Sequence, residues 1–354
     1  PESDGNNLLI KELKDVREAT QYIDGLGRPI QTVLKKGSME TNGTAFDLVT
    51  ANVYDGFGRE QFKYLPFAST AADGAFKPDP FQQQATFMTQ QYGGQSETYF
   101  YGQTVFEASP LGQVEKVLSP GNNWIGSNRG IATKIWANTA TDDVKKWRVT
   151  NVVNNWGSYA VTGAYAAGDL VKSIITDEHG KQVIEFKDKQ GKVLLKKVQL
   201  TAGDDNGTGS GYTGWLSTNY IYDDAGNLRC VVQPRGVELL ILNSWNITAL
   251  NGEILTEQCF RYEYDERSRM VMKKVPGAGE VWMVYDAKDR LVLTQDANMR
   301  TQSPAKWMYT LYDELNRPLA TGLWNNSNDR IYHKGQAANS TAYPNLSGQT
   351  YDEL

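Results

Sequence analysis

Apolar and polar residues alternate with a period of two along much of the chain, most clearly in its second half. Phe260, Tyr262 and Tyr264 form one such series, and Met270 and Met272 the next. Val281, Met283 and Tyr285 follow, then Leu291 and Leu293. A period of two predicts half-buried antiparallel strands. Intervening positions such as Trp282, Val284, Trp307, Tyr309 and Leu311 are also apolar. Either both sheet faces are covered or one lines an interior. Helical signals are few. Asp79-Pro80 supplies an N-cap and a proline at the first helical position. Phe81, Ala85, Met88 and Tyr92 then fall on one face, and Gly93-Gly94 ends the helix. A second short helix is expected around residues 237–242. Residues 68–77, 120–130, 201–214 and 325–345 are rich in Gly, Asn, Ser and Thr and read as loops.

Between the alternating segments a short unit recurs: Asp, two variable residues, Gly, then Arg or Lys. It begins at Asp24 (with Gly27 and Arg28), Asp55 (Gly58, Arg59), Asp177 (Gly180, Lys181) and Asp188 (Gly191, Lys192). Later copies begin at Asp223 (Gly226, Asn227), Asp265 (Ser268, Arg269), Asp286 (Asp289, Arg290) and Asp313 (Asn316, Arg317); residues 109–113 are a degenerate copy. Tyr directly precedes Asp at Tyr54, Tyr222, Tyr264, Tyr285, Tyr312 and Tyr351. Asp accepts a hydrogen bond from the backbone two residues on, which starts a turn. The fourth position then needs positive φ, where Gly is unstrained and Asn or Asp is tolerated. The product is a hairpin with a bulge, and Ser268 is the residue that fits it worst. The following cation lies near the Asp, an exposed pair worth about 0–1 kcal/mol. Successive Asp positions are irregularly spaced: 31 residues from Asp24 to Asp55, a long gap to Asp177, then intervals from 11 residues (Asp177 to Asp188) to 42 (Asp223 to Asp265). A propeller or solenoid keeps a tighter period, so hairpins threaded into one long sheet suit the spacing better. The 201–214 loop is the best internal boundary, dividing residues 1–210, an N-terminal β-rich region, from residues 211–354, which carry the later repeats. Repeats occur on both sides, so the boundary is soft.

Composition narrows the functions. The 354 residues carry 36 Lys plus Arg against 41 Asp plus Glu, an acidic balance that argues against nucleic acid as a partner. The apolar-rich stretch at residues 237–242, interrupted by Glu238, is far short of the roughly 20 residues that span a bilayer. Two His and two Cys leave no zinc site of the usual kind and little scope for histidine catalysis. His179 falls inside a turn and His333 in a Gly/Asn-rich tail, and neither suggests a triad. Cys230 and Cys259 are each beside a turn and read equally as a disulfide or as two buried thiols. The turn aspartates are preferred as turn formers over calcium ligands, which must converge several to a loop. The acidic stretch 201–207 lacks that spacing and reads as a flexible loop. No pair among the acids is singled out for glycosidase chemistry. No cofactor and no catalytic residue is expected. The aromatic excess reads first as cross-strand ladders and second as a sugar- or protein-binding surface around Trp124, Trp136, Trp147 and Trp156. Sequons at Asn42 and Asn246 match by composition only.

The Tyr-Asp-x-x-Gly-Arg hairpins resemble those of the RHS/YD-repeat proteins. Residues 22–33 (YIDGLGRPIQTV) resemble the region before the repeats in large bacterial members, as do residues 106–111 (FEASPL), 176–182 (TDEHGKQ) and 275–280 (VPGAGE). The resemblance covers nearly the whole chain. It implies a mainly β fold, in which a long antiparallel sheet of irregular hairpins curls into part of a hollow, cocoon-like shell with one or two short helices. About twenty strands at roughly 4.8 Å spacing make one ring or a cap, too small to hold a folded domain of about 13 Å radius of gyration. The implied role is non-catalytic: part of the β-shell of a secreted or cell-surface polymorphic toxin. The implied partners are the rest of its own shell and an enclosed C-terminal effector domain outside this chain. The chain carries no signal peptide at residues 1–5 and ends in a partial repeat at residues 351–354, which reads as a fragment. The alternative is an adhesion module that binds surface glycan or protein through exposed aromatics; a carbohydrate-active enzyme comes last.

Overall fold

The computed structural model describes residues 16–38, 44–346 and 351–353. The expectations for residues 1–5 and the Asn42 sequon lie outside them. The architecture is a large, mostly antiparallel β-sheet fold, and the chain forms two compact units: residues 1–134 with 174–182, and residues 135–173 with 183–354.

The first unit opens with β1 (Ala19–Ile23), β2 (Pro29–Leu34) and β3 (Leu48–Val53), paired in sequence. β3 then pairs with both β4 (Phe62–Tyr64) and β5 (Phe67–Ala68). Helix α1 (Pro80–Tyr92) follows, and β6 (Tyr101–Phe106), β7 (Val114–Leu118) and β8 (Gly130–Ala137) extend the sheet from β4. The core is Val33, Val49, Phe67 and Met88. The buried face of α1 is turned from the expected one. Gln84 and Met88 are buried, while Ala85 and Tyr92 are exposed. Gln84 goes inside because its amide donates to the carbonyls of Leu65 (3.1 Å) and Phe100 (2.9 Å). Both amide donors are thereby satisfied inside, and the helix is tied to the backbone of two separate segments.

In the second unit, β9 (Lys145–Val152) and β10 (Asn155–Ala164) form a separate two-stranded hairpin, and β11 spans Val171–Thr176. A ribbon in strict sequence order follows: β12 (Gln182–Lys187), β13 (Val193–Gln199), β14 (Trp215–Tyr222) and β15 (Leu228–Val232). After helices α2 (Pro234–Leu242) and α3 (Glu253–Glu257) come β16 (Cys259–Tyr264), β17 (Met270–Lys274), β18 (Val281–Tyr285) and β19 (Leu291–Gln295). Helix α4 (Ala297–Thr301), β20 (Lys306–Tyr312), β21 (Pro318–Asn325), α5 (Arg330–Ala337) and β22 (Tyr351–Glu353) complete the chain. Every pairing in this ribbon is antiparallel. No pairing joins β22 to β12 among the described residues.

The five α-helices among the described residues correct the expectation of one or two. Three of them, α3, α4 and α5, were not expected. α4 and α5 are capped by Asp296 and Asp329, whose carboxylates accept from Met299 N and Tyr332 N. α5 falls within the expected 325–345 loop. Its inner face is Arg330, His333 and Ala337, a helical spacing in which only the alanine is apolar.

β16 inverts another expectation. Its fully buried residues are Cys259, Arg261 and Glu263, and the aromatic series Phe260, Tyr262, Tyr264 is only half-buried. The β9–β10 hairpin packs over this polar face. Arg261 lies over the rings of Trp156 (4.4 Å) and Tyr159 (5.6 Å), and Glu263 accepts from Gly157 N at 2.7 Å. Cys230 and Cys259, two residues out of register, remain free buried thiols. Burial pushes the Cys230 thiol up, and its hydrogen bond with Cys259 adds to that.

Candidate functional site

The recurring turns share one geometry. In the turn beginning at Asp24 the Asp24 N–H donates to the Arg28 carbonyl (2.9 Å) and Gly27 N–H to the Asp24 carbonyl (3.0 Å). One carboxylate oxygen accepts from Leu26 N and Arg28 N, and the other from the Arg28 guanidinium (2.7 Å). The same backbone pair recurs at Asp55, Asp177, Asp188, Asp223, Asp265, Asp286 and Asp313. The fourth residue has positive φ each time, from 77° at Gly58 to 86° at Gly226, with Gly180 and Gly191 between. Ser268 (59°), Asp289 (63°) and Asn316 (61°) take the same conformation. These donors explain the acidity of the carboxylates of Asp24, Asp55, Asp177, Asp265 and Asp313. Asp24 and Asp313 are held below the usual range first by the backbone amide of their arginine, then by its side chain. Asp55 and Asp177 are lowered chiefly by the amides of Arg59 and Lys181. At Asp265 burial works upward, and the bonds from Arg269 and Arg267 outweigh it.

A second relation joins neighbouring turns. The cation of one hairpin lies on the aromatic residue that begins the next. Arg28 sits 4.5 Å from the Tyr54 ring, Arg269 4.8 Å from Tyr285, and Arg290 4.9 Å from Tyr312. Lys192 is 5.6 Å from Tyr222, and Arg59 is 4.5 Å from Phe106. The tyrosine hydroxyl also reaches back one hairpin. Tyr54 donates to the Pro29 carbonyl (2.9 Å), Tyr285 to Met270 (2.8 Å) and Tyr312 to Leu291 (3.0 Å). Arg269 and Arg290 extend further, to Asp289 Oδ1 (2.6 Å) and Asn316 Oδ1 (3.1 Å) of the following turn. At Tyr54, Tyr285 and Tyr312 the Tyr-Asp pair therefore both makes its own turn and docks on the one before. A stacked cation adds about 0.5–1 kcal/mol, more when desolvated. Tyr351 and Asp352 stand elsewhere: β22 pairs them with Trp324 and Leu323, at the end of β21 away from the 313–317 turn.

The Asp223 turn departs from this pattern. Asn227 replaces the cation, and Arg229, two residues on, takes over the contact with Asp223 (3.1 Å). It is buried, bonded also to Glu263, Asn151 and the Tyr262 carbonyl. Burial raises Glu263 despite Gly157 N and Arg229. Beside it is a cavity of about 320 Å³ lined in part by Asn151, Asn154, Asp223, Glu263, Arg330 and Lys334. Its two other cations are engaged: Arg330 donates to the Asn154 carbonyl and Lys334 to its side chain.

Two further charge clusters centre on buried lysines. In the first unit, Lys77 bonds Asp47 (2.8 Å) and Asp73 (2.6 Å), and the lysine holds Asp73 down at about 2. In the second, Lys172, Asp142 and Asp205 have no exposed side-chain surface. Lys172 Nζ bonds Asp142 Oδ1 at 2.9 Å and Asp205 Oδ2. Next to them Lys197 Nζ donates to the carbonyls of Asp142 (3.1 Å), Ser210 and Gly211. Burial lowers Lys197 to about 8, against the pull of Asp142. Burial raises Asp205, but the donors Lys172 and Gly207 N outweigh it and leave its carboxyl below the usual range. The 201–214 segment is thus pinned to the sheet through Asp205, not free as its composition suggests. Among the described residues no group of three or more His, Cys, Asp and Glu side chains is placed to hold a metal. No described helix is long and apolar enough to cross a membrane.

The four tryptophans are half-buried and separately packed. Trp124 lies under Arg129 (4.7 Å), Trp147 packs into the core beside Trp245, and Trp156 donates to Glu280 (2.5 Å). Trp136 stands against Gly207. His179 is exposed in its turn beside Arg129.

Comparison with solved structures places this architecture. A crystal structure of TcdB2-TccC3-TEV matches 88% of this chain at 15% identity with a TM-score of 0.51, using 13% of its own length. The chain shares its fold with that protein. TcdB2-TccC3 without its hypervariable C-terminal region matches 87% of the chain, at 15% identity and TM-score 0.48, over 12% of its length. A Photorhabdus luminescens Tc holotoxin pore matches 92% at 14% identity, TM-score 0.46, over 14% of its length. The chain thus spans about an eighth of the structures it matches. Residues 1–137 match the model of a domain of unknown function, DUF6443. No curated protein matches the sequence.

Proposed function

We infer that this chain is a stretch of the non-catalytic β-shell of a secreted or surface RHS-type protein. Residues 1–210 open the shell and residues 211–354 continue its repeats. In this reading the shell encloses and presents a C-terminal effector domain encoded beyond the chain. The docking of the Tyr-Asp pairs at Tyr54, Tyr285 and Tyr312 on the preceding cation carries the reading. It joins hairpins of unequal length edge to edge without a fixed period, which a wall needs and a compact active site does not. Continuous pairing also leaves few open edges. The fold shared over 88% of the chain with a much longer protein supports it.

The test is limited proteolysis and intact mass of the full-length gene product. A C-terminal polypeptide that stays associated and is protected from protease until the shell is unfolded supports the proposal. A single chain digested at equal rates throughout overturns it. One observation favours an adhesion role as the second reading. Three turns of the first unit carry Leu26, Phe57 and Leu111 at their third positions, with 79%, 82% and 79% exposure. Charge-preserving polar replacements at these tips that abolish binding to host cells, with cargo retention intact, would put that reading first.

A further inference from the structure

The Lys172 cluster is built for a reaction as well as for an ion pair. Lys172 comes from β11, Asp142 from a single 3-10 turn (Ala140–Asp142), and Asp205 from the 201–214 loop. The three meet across 30 and 33 residues of sequence with no exposed side-chain surface. The Phe186 ring lies 5.6 Å from the ammonium. Four charges, counting Lys197, are packed where no solvent reaches them. An ion pair in such a place loses much of its Coulomb gain to desolvation. The two carboxylates are held differently. Asp142 accepts from Lys172, from Ser210 N (3.0 Å), and from Thr139 N (2.7 Å) and Thr139 Oγ1 (3.1 Å). Four donors therefore converge on its two oxygens. Asp205 Oδ1 accepts from Gly207 N (2.9 Å), while its Oδ2 faces the lysine.

We propose that Lys172 and Asp205 condense to an intramolecular isopeptide bond, with Asp142 as the proton relay. Asp142 takes a proton from the Lys172 ammonium and frees the Nζ lone pair. Nζ attacks Cγ of Asp205, whose Oδ1 is held by Gly207 N–H as negative charge gathers on it. The two protons shed by nitrogen, one carried by Asp142, reach Oδ2, and the C–Oδ2 bond breaks with loss of water. Nζ keeps one hydrogen as the amide N–H, and Asp142 returns to carboxylate. No oxidant or co-reactant enters. The product replaces a buried cation and a buried anion by a neutral amide and leaves Asp142 opposite Lys197. Close packing supplies the high effective concentration such a step needs. Its result is a covalent staple between the 201–214 loop and β11.

Peptide mapping of the denatured, trypsin-digested full chain tests this. The expected result is a branched peptide joining the segments that contain Lys172 and Asp205, about 18 Da lighter than their sum, as loss of water requires. Separate, unmodified Lys172 and Asp205 peptides overturn the proposal. Asp205→Asn should give the same branch with loss of ammonia, about 17 Da, because nitrogen is then the leaving atom. Asp142→Asn should give unbranched peptides; full branching in that variant, checked for native circular dichroism, removes Asp142 from the mechanism.

Discussion

His333 makes the stability of the second unit depend on acid. The side chain is fully buried on α5. Trp307 lies at 4.8 Å, Trp324 at 5.3 Å and Tyr332 at 5.4 Å between ring centres. Nδ1 is 2.5 Å from the Tyr343 hydroxyl, and Nε2 has no hydrogen-bond partner. Burial lowers the imidazole to about 4, against the raising influence of Asp329. An unfolded histidine titrates near 6.5. The folded value is the lower one, so the unfolded chain binds the extra proton. The stability is therefore complete above about pH 6.5 and is lost as pH falls toward the folded value. At pH 5 the loss is about 2 kcal/mol, and at pH 4 about 3 kcal/mol. Urea unfolding of the native chain and of His333→Phe at pH 7, 6 and 5 isolates it, because carboxylate titrations are common to both proteins. The unfolding free energy of the native chain should fall relative to the variant by about 2 kcal/mol between pH 7 and 5. A difference that stays constant over that range refutes the reasoning.

Other perturbations should separate the buried from the exposed parts of the turn ridge. Arg290→Ala strips the partner from Asp286, which is 1% exposed. It should cost about 3 kcal/mol in urea unfolding, whereas Arg317→Ala, 71% exposed, should cost under about 1 kcal/mol. Equal effects would mean that burial does not govern these pairs. Ser268→Gly relieves a positive φ and should raise stability by roughly 0.5–1 kcal/mol; unchanged or lower stability would show that the serine is not strained. The Cys230 thiol should resist alkylation in the native state, since burial suppresses its thiolate, and react in urea. Rapid native labelling followed by mass spectrometry would contradict its burial.

The five-residue turn is legible in sequence because it closes on itself. Its hydrogen bonds run from Asp to residues two and four ahead, and its one special dihedral is at the fourth position. The strands are legible for the same reason, since period two is local. The helix faces are less so: Gln84 is buried by carbonyls 16 and 19 residues away, which no periodicity of α1 reveals. Arg330 and His333 form the inside of α5 without being apolar, so the composition of that segment points to a loop.

By itself, then, the sequence determined where the chain turns, that it is built of strands, and that its recurring unit pairs an acid with a cation. Tertiary structure decided which polar residues go inside. Lys172 meets Asp142 and Asp205, and Arg229 meets Glu263, only after segments 30, 33 and 34 residues apart are brought together. It also decided that Tyr54, Tyr285 and Tyr312 serve the hairpin before their own. The physical reason is range. A turn is settled by contacts within five residues, whereas a buried charge is tolerable only beside a partner that the fold must deliver.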